Sequence, residues 1–330
     1  KSTNPGSYKG EINIEVKGNT PVKVPIEIEV MPITLLSLDE AGLSMGGCVT
    51  GFVPFHDISY AVKNNVNATN LWFISARPNM SKVDGKLVLD FTLIDEWMKE
   101  AKRLGWQNIV YFLGGNPYGF PRTLNMEQEL FVVMQNEGDR EARIEKFLKL
   151  SADKSNRGRV LEEIRGVYGQ WVKEVSQHAR QNGWPELIFT PFDEPAKARQ
   201  KPYRKEGHEK DDLVIGTGPW IRSHFIDACE IIRKSALPGT RIYGSIHHVS
   251  GIEYRPYINV FCTNAIHDDP ALGDKVRAGG RKDKYFWQYT GVNANSDPAR
   301  MRYSFGFYFG AYNSRGSLLW AYNWGTRFNS

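Results

Sequence analysis

The sequence predicts an α/β protein, a (β/α)8 TIM barrel preceded by the tail of a β-sandwich domain. Three observations lead to this prediction. From about Leu36 onward, eight apolar, β-prone runs alternate with loops and helical segments. A length of 330 residues suits one barrel of this type. The alternative, an open doubly wound sheet, normally carries a glycine-rich turn after its first strand, and no GxGxxG or GxxxxGK motif occurs.

The first 35 residues have a different pattern from the rest. Glu11–Lys17 (EINIEVK) and Val22–Val30 (VKVPIEIEV) alternate apolar and polar residues, and Gly18-Asn-Thr-Pro lies between them. This pattern predicts a β-hairpin of half-exposed strands. Because two strands alone are marginally stable in water, we expect residues 1–35 to be the remnant of an N-terminal β-sandwich. Residues 36–330 are then the barrel domain.

Apolar runs and amphipathic segments place the elements of the barrel in order. The predicted strands cover 43–50, 68–75, 108–113, a run that starts at 187, 241–247, 257–265, 284–289 and 317–322. The predicted helices cover 57–65, 93–104, 160–182, 221–236 and 299–312. Gly105 is a helix C-terminal signal for the second of these. Residues 120–159 are predicted to be a charged, partly helical insertion.

Composition narrows the classes of function. The net charge is +5, but basic and acidic residues are interspersed, so no nucleic-acid footprint stands out. No apolar run approaches the roughly 20 residues of a membrane span, and no signal peptide is present in this chain. The three cysteines have no CxxC spacing and predict neither a disulfide framework nor a zinc site. We therefore expect no metal and no cofactor.

The segment LIFTPFDEP, Leu187–Pro195, is the strongest chemical signal in the chain. An apolar strand ends in two adjacent carboxylates, Asp193 and Glu194, and the carboxyl ends of barrel strands form the active-site face. Neighbours on a regular strand point to opposite faces, so the strand should already be ending at Asp193. Pro195 should hold Glu194 in extended geometry. The alternative is an Asp–Glu pair in a surface loop that caps the next helix.

Polar and aromatic residues follow the other predicted strands. Hydroxyl-binding groups and rings are frequent there and phosphate-binding loops are absent, which favours a sugar or polyol over a nucleotide as substrate. The expected substrate contacts are Arg77, Asn116, His247, His267, Trp287, Tyr289, Asn323 and Trp324. Tyr118, His248 and Trp320 follow the same pattern. The histidines are a weak chelate, because adjacent strand residues point apart.

Glycoside hydrolysis normally uses two carboxylates on opposite sides of the bond, whereas here the obvious acids are adjacent. A 2-acetamido sugar removes the need for a separate nucleophile, because its own carbonyl oxygen can attack the anomeric carbon. Glu194 would protonate the leaving oxygen, Asp193 would stay ionised against the acetamido N–H, and Tyr289 is the best-placed donor to the acetamido oxygen. Two alternatives stay open: a retaining hydrolase of another glycan using Glu194 with Asp268 or Asp269, and a non-catalytic glycan-binding barrel.

Three segments together resemble glycoside hydrolase family 123 and related barrel glycosidases. They are YKGEINIEVKGNTPVKVPIEIEVMPITL, FTPFDEP and SLLWAYNWG. The resemblance implies a β-sandwich before a (β/α)8 catalytic barrel and hydrolysis of β-linked N-acetylgalactosamine with acetamido participation. It implies Asp193 as the orienting residue, Glu194 as the acid/base, and a secreted or periplasmic location of bacterial type. The 120–159 insertion and the basic loop after Pro195 have no counterpart in the pattern. Exact sugar, linkage and oligomeric state stay open.

Overall fold

The structure is a computed structural model. It describes residues 3–33, 36–47, 51–115, 124–195, 219–246, 249–263, 285–290, 299, 309–311 and 314–319. The chain divides into two compact units, Lys1–Ala41 and Gly42–Ser330.

The first unit is an antiparallel hairpin. Strands β1 (Gly6–Ile14) and β2 (Val22–Val30) pair from Gly6 opposite Val30 to Ile14 opposite Val22. The register places the apolar residues of both strands on one face, because alternate residues of a strand share a face. That this unit is the remnant of a β-sandwich stays a prediction.

The second unit contains a closed barrel of eight parallel strands, which confirms the predicted fold class. Its strands are β3 (Ser44–Gly47), β4 (Ala68–Trp72), β7 (Asn108–Phe112), β8 (Glu186–Thr190), β9 (Arg241–Ser245), β10 (Val260–Thr263), β11 (Tyr285–Thr290) and β12 (Gly316–Leu319). Around the barrel they follow one another in this order, and β12 pairs with β3. Every pairing between them is parallel, as the strand–helix alternation of the sequence requires.

The predicted sixth strand begins later than expected. The apolar run predicts a start at Tyr257, but β10 begins at Val260. A short 3₁₀ helix (Val249–Tyr254) comes first, and the N–H of Tyr257 donates to the carbonyl of Tyr254 at 2.8 Å. This turn bond uses the backbone donor that a strand would have needed for its ladder.

Helices surround the barrel and bury apolar residues against it. They are α1 (Phe55–Lys63), α2 (Thr92–Leu104), α3 (Asn125–Met134), α4 (Arg140–Ala152), α5 (Glu162–Gln181), α6 (Pro219–Ser235) and the short α7 (Phe309–Ala311). Within the described ranges, no helix is both long enough and apolar enough to cross a bilayer. Most of the 120–159 insertion forms α3 and α4, and Leu130, Phe131 and Phe147 are buried in the core between barrel and helices.

A second hairpin, which is not among the predicted strands, follows β4 in the chain. Strands β5 (Asn79–Val83) and β6 (Lys86–Asp90) pair antiparallel between β4 and α2. Asp84 and Gly85 connect them, both with positive φ (48° and 77°). An Asp-Gly pair between alternating residues is a strong hairpin signal, because this turn needs positive φ at both central positions. The signal was therefore present in the sequence.

The barrel interior is polar at its amino-terminal end and apolar in its middle. Arg241 donates to both carboxylate oxygens of Glu186 at 2.7 and 2.9 Å and to Asn108 Oδ1 at 2.6 Å. Asn108 in turn donates to Ser44 Oγ at 3.0 Å. Each of these residues is the first of its strand, so the network lies at the amino-terminal end of the barrel. Above it, eight buried residues form the interior core: Val110, Phe112, Ile188, Tyr243, Val260, Cys262, Trp287 and Leu318.

Gly316 is required by the packing of Trp287 in this interior. A Cβ at position 316 would lie 2.5 Å from Cε2 of the Trp287 indole, closer than real carbon contacts. We expect Gly316→Ala to lower the free energy of unfolding by about 1–3 kcal/mol, the usual cost of overpacking. Gly166→Ala is the matched control, because a Cβ at 166 in α5 meets nothing within 4 Å. It should be neutral or stabilising, by up to about 1 kcal/mol. Urea unfolding of both variants checks this, and a Gly316→Ala protein as stable as wild type would contradict it.

Candidate active site

The segment after β8 is held by the strands on both sides of it. The N–H of Leu113, just past β7, donates to the carbonyl of Thr190 at 3.0 Å. The N–H of Asp193 donates to the carbonyl of Gly115 at 3.1 Å. On the other side, the N–H of Glu194 donates to the hydroxyl of Ser245, the last residue of β9, at 2.9 Å. The backbone of the acid pair is therefore fixed at the carboxyl end of the barrel.

The residues that flank the acid pair are anchored in the helical layer. Phe192 is buried and packs edge-to-face on Phe225 of α6, with ring centroids 5.2 Å apart. The carbonyl of Pro195 accepts a hydrogen bond from the hydroxyl of Tyr254 at 3.1 Å. Tyr254 is itself buried and packs edge-to-face on Phe225 at 5.3 Å. Burial raises the pKa of the Tyr254 hydroxyl, so it remains a donor.

Both acids are largely buried. Asp193 and Glu194 are each 8% exposed, so neither residue is turned into bulk water. The Asp193 Oδ1 atom accepts a hydrogen bond from the Ser245 hydroxyl at 2.6 Å. Since Ser245 is itself buried, the carboxylate of Asp193 is held against the end of β9 rather than exposed in a surface loop.

The backbone of Glu194 differs from the expectation. Pro195 predicts extended geometry for Glu194, but the φ of Glu194 is +50°, in the left-handed region. A non-glycine residue there costs on the order of 1–3 kcal/mol and persists only where its surroundings fix it. Here the fixing contacts are the Ser245 hydroxyl on its N–H and the Tyr254 hydroxyl on the next carbonyl. The sequence preference is overridden by bonds to other strands and helices.

Ser245, Cys262 and Trp287 form one row across three neighbouring strands. Ser245 pairs with Cys262, and Cys262 pairs with Trp287. The pKa of the Cys262 thiol is raised to about 12: burial raises it, a hydrogen bond with Tyr243 lowers it, and the charge of Asp193 raises it. The thiol is therefore protonated at neutral pH and is no nucleophile, since the thiolate is the reactive form.

Trp287 belongs to the barrel interior. Its side chain is fully buried, and it packs edge-to-face on Tyr243 with centroids 6.1 Å apart. Its predicted contact with the substrate stays a prediction. Trp72, which is not among the predicted site residues, ends β4, is half-buried and stacks on Phe112 with ring centroids 4.4 Å apart. Its position at the end of an apolar strand was the available signal.

The side chain of Arg77 contacts a residue of the helices that surround the barrel. It donates to Glu129 of α3 at 3.4 Å, and its guanidinium carbon lies 5.1 Å from the centroid of the Phe73 ring. Glu129 also accepts from Arg140 of α4 at 2.5 Å. None of the contacts described for Arg77 involves Asp193 or Glu194, so its role as a substrate contact also stays a prediction.

Most of the other predicted site residues lie outside the described residues. They are Asn116, Tyr118, His247, His248, His267, Asp268, Asp269, Trp320, Asn323 and Trp324. For Tyr289 the structure describes the backbone, which pairs with Leu318 of β12 near the carboxyl end of β11. The roles of all these residues remain predictions.

Metal-binding groups and cavities were also sought outside the acid pair. In the described part of the chain, no three His, Cys, Asp or Glu side chains are grouped so as to hold a metal ion. A cavity of about 450 Å³ is lined in part by Trp184, Pro185 and Glu186. These residues lie at the amino-terminal end of β8, whereas the acids follow its carboxyl-terminal end, so this cavity is separate from the candidate site.

The arrangement suits acid–base work by two carboxylates with different surroundings. Asp193 accepts a hydroxyl hydrogen bond that favours its ionised form. Two adjacent carboxyl groups at one site can divide the chemistry, one donating a proton to a leaving oxygen and the other serving as a charged acceptor.

Comparison with solved structures supports the fold. A family 123 glycoside hydrolase from Clostridium perfringens, described for glycolipid glycan hydrolysis, matches with a TM-score of 0.60 and 12% identity. The match covers 97% of this chain and 56% of that chain. The two proteins share a fold. This chain therefore spans a little over half the length of that relative.

Other barrel glycosidases match less well. Xylanase B from Clostridium stercorarium F9 matches with a TM-score of 0.47 and 12% identity, over 89% of this chain and 92% of that chain. The family 30 subfamily 8 xylanase Xyn30A from Clostridium acetobutylicum matches with a TM-score of 0.43 and 11% identity, over 84% and 63%. No protein-family model matches the sequence, and no curated protein sequence does.

Proposed function

We propose that the protein is a glycoside hydrolase that cleaves a β-linked N-acetylhexosamine, with N-acetylgalactosamine favoured, by substrate-assisted retaining catalysis. Glu194 is the general acid/base and Asp193 orients the 2-acetamido group. One observation carries the proposal: two adjacent, largely buried carboxylates follow β8 at the carboxyl end of a closed barrel, and one of them is held by a buried hydroxyl. The shared fold with a family 123 glycoside hydrolase supports it.

The reaction proceeds in two steps. The acetamido carbonyl oxygen of the substrate attacks C1 while the bond from C1 to the leaving oxygen breaks, and the leaving oxygen takes the proton of Glu194. The positive charge of the resulting oxazolinium ring lies beside the Asp193 carboxylate, which accepts the ring N–H. In the second step Glu194 removes a proton from a water that attacks C1, and the bond to the acetamido oxygen breaks. Two inversions at C1 give net retention.

The decisive experiment compares two substrates that differ only at C2. Purified protein should cleave a nitrophenyl N-acetyl-β-galactosaminide and leave the nitrophenyl β-galactoside, which carries a hydroxyl at C2, uncleaved. The thiazoline analogue of N-acetylgalactosamine should inhibit competitively, because it resembles the oxazolinium intermediate. The corresponding β-glucosaminide should be cleaved more slowly than the galacto sugar.

The alternatives give different results. Equal turnover of the N-acetyl-β-galactosaminide and the β-galactoside, together with insensitivity to thiazoline, would contradict acetamido participation. Loss of this turnover in Asp268→Asn or Asp269→Asn would then indicate a retaining hydrolase in which that aspartate is the nucleophile and Glu194 the acid/base. Glycan binding by calorimetry without product from any substrate, unaffected by Glu194→Gln, would identify a non-catalytic binding barrel.

A further inference from the structure

The hydroxyl of Ser245 contacts both members of the acid pair. It accepts a hydrogen bond from the Glu194 N–H at 2.9 Å and lies 2.6 Å from Asp193 Oδ1. Ser245 is 3% exposed and is the last residue of β9, the strand next to β8 in the barrel. A rigid strand therefore presents a single small polar group to the turn that carries the two acids.

The direction of the two bonds follows from the chemistry of a hydroxyl. A serine hydroxyl has one hydrogen to donate and lone pairs to accept. Because the Glu194 N–H is a donor only, the oxygen must accept there, and its own hydrogen must then be donated to Asp193. This bond requires Oδ1 of Asp193 to be an acceptor, and it stabilises the ionised carboxylate over the protonated form.

The same bond also fixes the orientation of Asp193. With Oδ1 bound to Ser245, the rotation of the carboxylate is restrained, and so is the direction from which it can meet a substrate N–H. The Glu194 N–H bond adds a second restraint, because it holds the left-handed turn at Glu194. Loss of the hydroxyl removes the charge-stabilising and the orienting bond together.

We propose that Ser245 is a positioning residue that keeps Asp193 ionised and oriented and holds the turn at Glu194 for catalysis. The inference rests on the proposed function and deepens it. Ser245 acts through the two acids and needs no contact with the substrate.

Several titratable groups among the described residues lie near Asp193. Glu194 is the adjacent acid, and Cys262 of β10 faces Asp193 with a thiol that burial keeps protonated. Tyr243 of β9 hydrogen-bonds to that thiol. The acidic limb of the rate profile should therefore report the ionisation of Asp193 under the influence of Ser245.

The test uses Ser245→Ala, Ser245→Thr and a matched control in the same barrel. Ser317 of β12 is fully buried, and its hydroxyl has no hydrogen-bond partner among the described residues, so Ser317→Ala is expected to remove a buried hydroxyl without removing a bond. The substrate is the nitrophenyl N-acetyl-β-galactosaminide, and kcat, KM and the pH dependence of kcat/KM are measured for each protein, with thermal unfolding as the folding check.

The expected result separates positioning from folding. Ser245→Ala should lower kcat about 10- to 100-fold with little change in KM, as for loss of a hydrogen bond to a charged group. The acidic limb of its kcat/KM profile should move to higher pH by about one unit, because the carboxylate loses a hydrogen bond that favours its ionised form. Ser245→Thr keeps a hydroxyl and should restore most of the rate and the wild-type acidic limb, and Ser317→Ala should match wild type. If Ser245→Ala fails to fold, Ser245→Cys, whose thiol is a weaker donor of similar size, replaces it with the same expected direction.

A folded Ser245→Ala protein with wild-type kcat and an unmoved acidic limb would overturn the proposal. If the wild type cleaves no 2-acetamido substrate, the proposed function fails by itself, and Ser245 is judged by crystal structures of wild type and Ser245→Ala. An unchanged Asp193 carboxylate in the variant then overturns the positioning role, and a rotated carboxylate supports it.

Discussion

Replacing Glu194 by Gln is expected to reduce kcat about 10²- to 10⁴-fold on substrates with poor leaving groups, the range that general acid catalysis contributes. The amide keeps the size of the side chain but has no proton to transfer. The loss should be smallest for a dinitrophenyl leaving group, which departs without protonation. Steady-state kinetics across a series of aryl leaving groups measures this dependence.

Azide identifies the role of Glu194 in the second step. With Glu194→Ala and an activated aryl substrate, azide should raise the rate and give a β-glycosyl azide, because azide attacks C1 without needing a general base. Glu163, an exposed residue at the start of α5, supplies the matched control, and Glu163→Gln should retain wild-type kinetics. Wild-type-like turnover of poor leaving groups by Glu194→Gln would remove Glu194 as the acid.

Replacing Asp193 by Asn is expected to reduce kcat about 10²- to 10³-fold, comparable to loss of one preorganised electrostatic contact to the transition state. Asparagine keeps the shape, and its amide oxygen can still accept from Ser245, but the charge that faces the oxazolinium ring is gone. Ground-state binding depends less on that charge, so KM should change little. Thiazoline should bind the variant more weakly by about the same factor, because it resembles the charged intermediate.

The Asp193 and Glu194 variants are distinguished by how their loss of kcat depends on the leaving group of the substrate. Loss of Asp193 impairs formation of the ring for every leaving group, whereas loss of Glu194 matters most for poor ones. An Asp193→Asn protein whose deficit disappears with the dinitrophenyl substrate is incompatible with the orienting role, because it would behave as an acid.

The barrel could be predicted from the sequence because its strands lie in mainly apolar, β-prone segments that alternate with helical ones. Buried parallel strands give such segments, and Gly105 marks a helix end that the structure confirms. The boundaries were less accurate: β10 starts three residues after the predicted Tyr257, since a turn bond at Tyr254 uses the local backbone. The hairpin at Asp84-Gly85 was missed although its turn signal was present.

The details of the site were harder to predict, since they depend on contacts between strands distant in sequence. The chemical type of Asp193 and Glu194 and their place after β8 followed from local sequence. The left-handed turn at Glu194 did not, because bonds to Ser245 and Tyr254 override the preference set by Pro195. Ser245 was overlooked for a related reason: it is 52 positions from Asp193 in the chain, and only the pairing of β8 with β9 makes them neighbours.

The most direct test of the acid pair is a crystal structure with the thiazoline analogue of N-acetylgalactosamine bound. The ring nitrogen should lie about 2.6–3.2 Å from the Asp193 carboxylate, within hydrogen-bond reach. The Glu194 carboxyl should lie on the side of C1 from which the leaving group departs. A thiazoline bound at another place, or bound at the barrel mouth with Asp193 turned away from its nitrogen, would contradict acetamido participation by this pair.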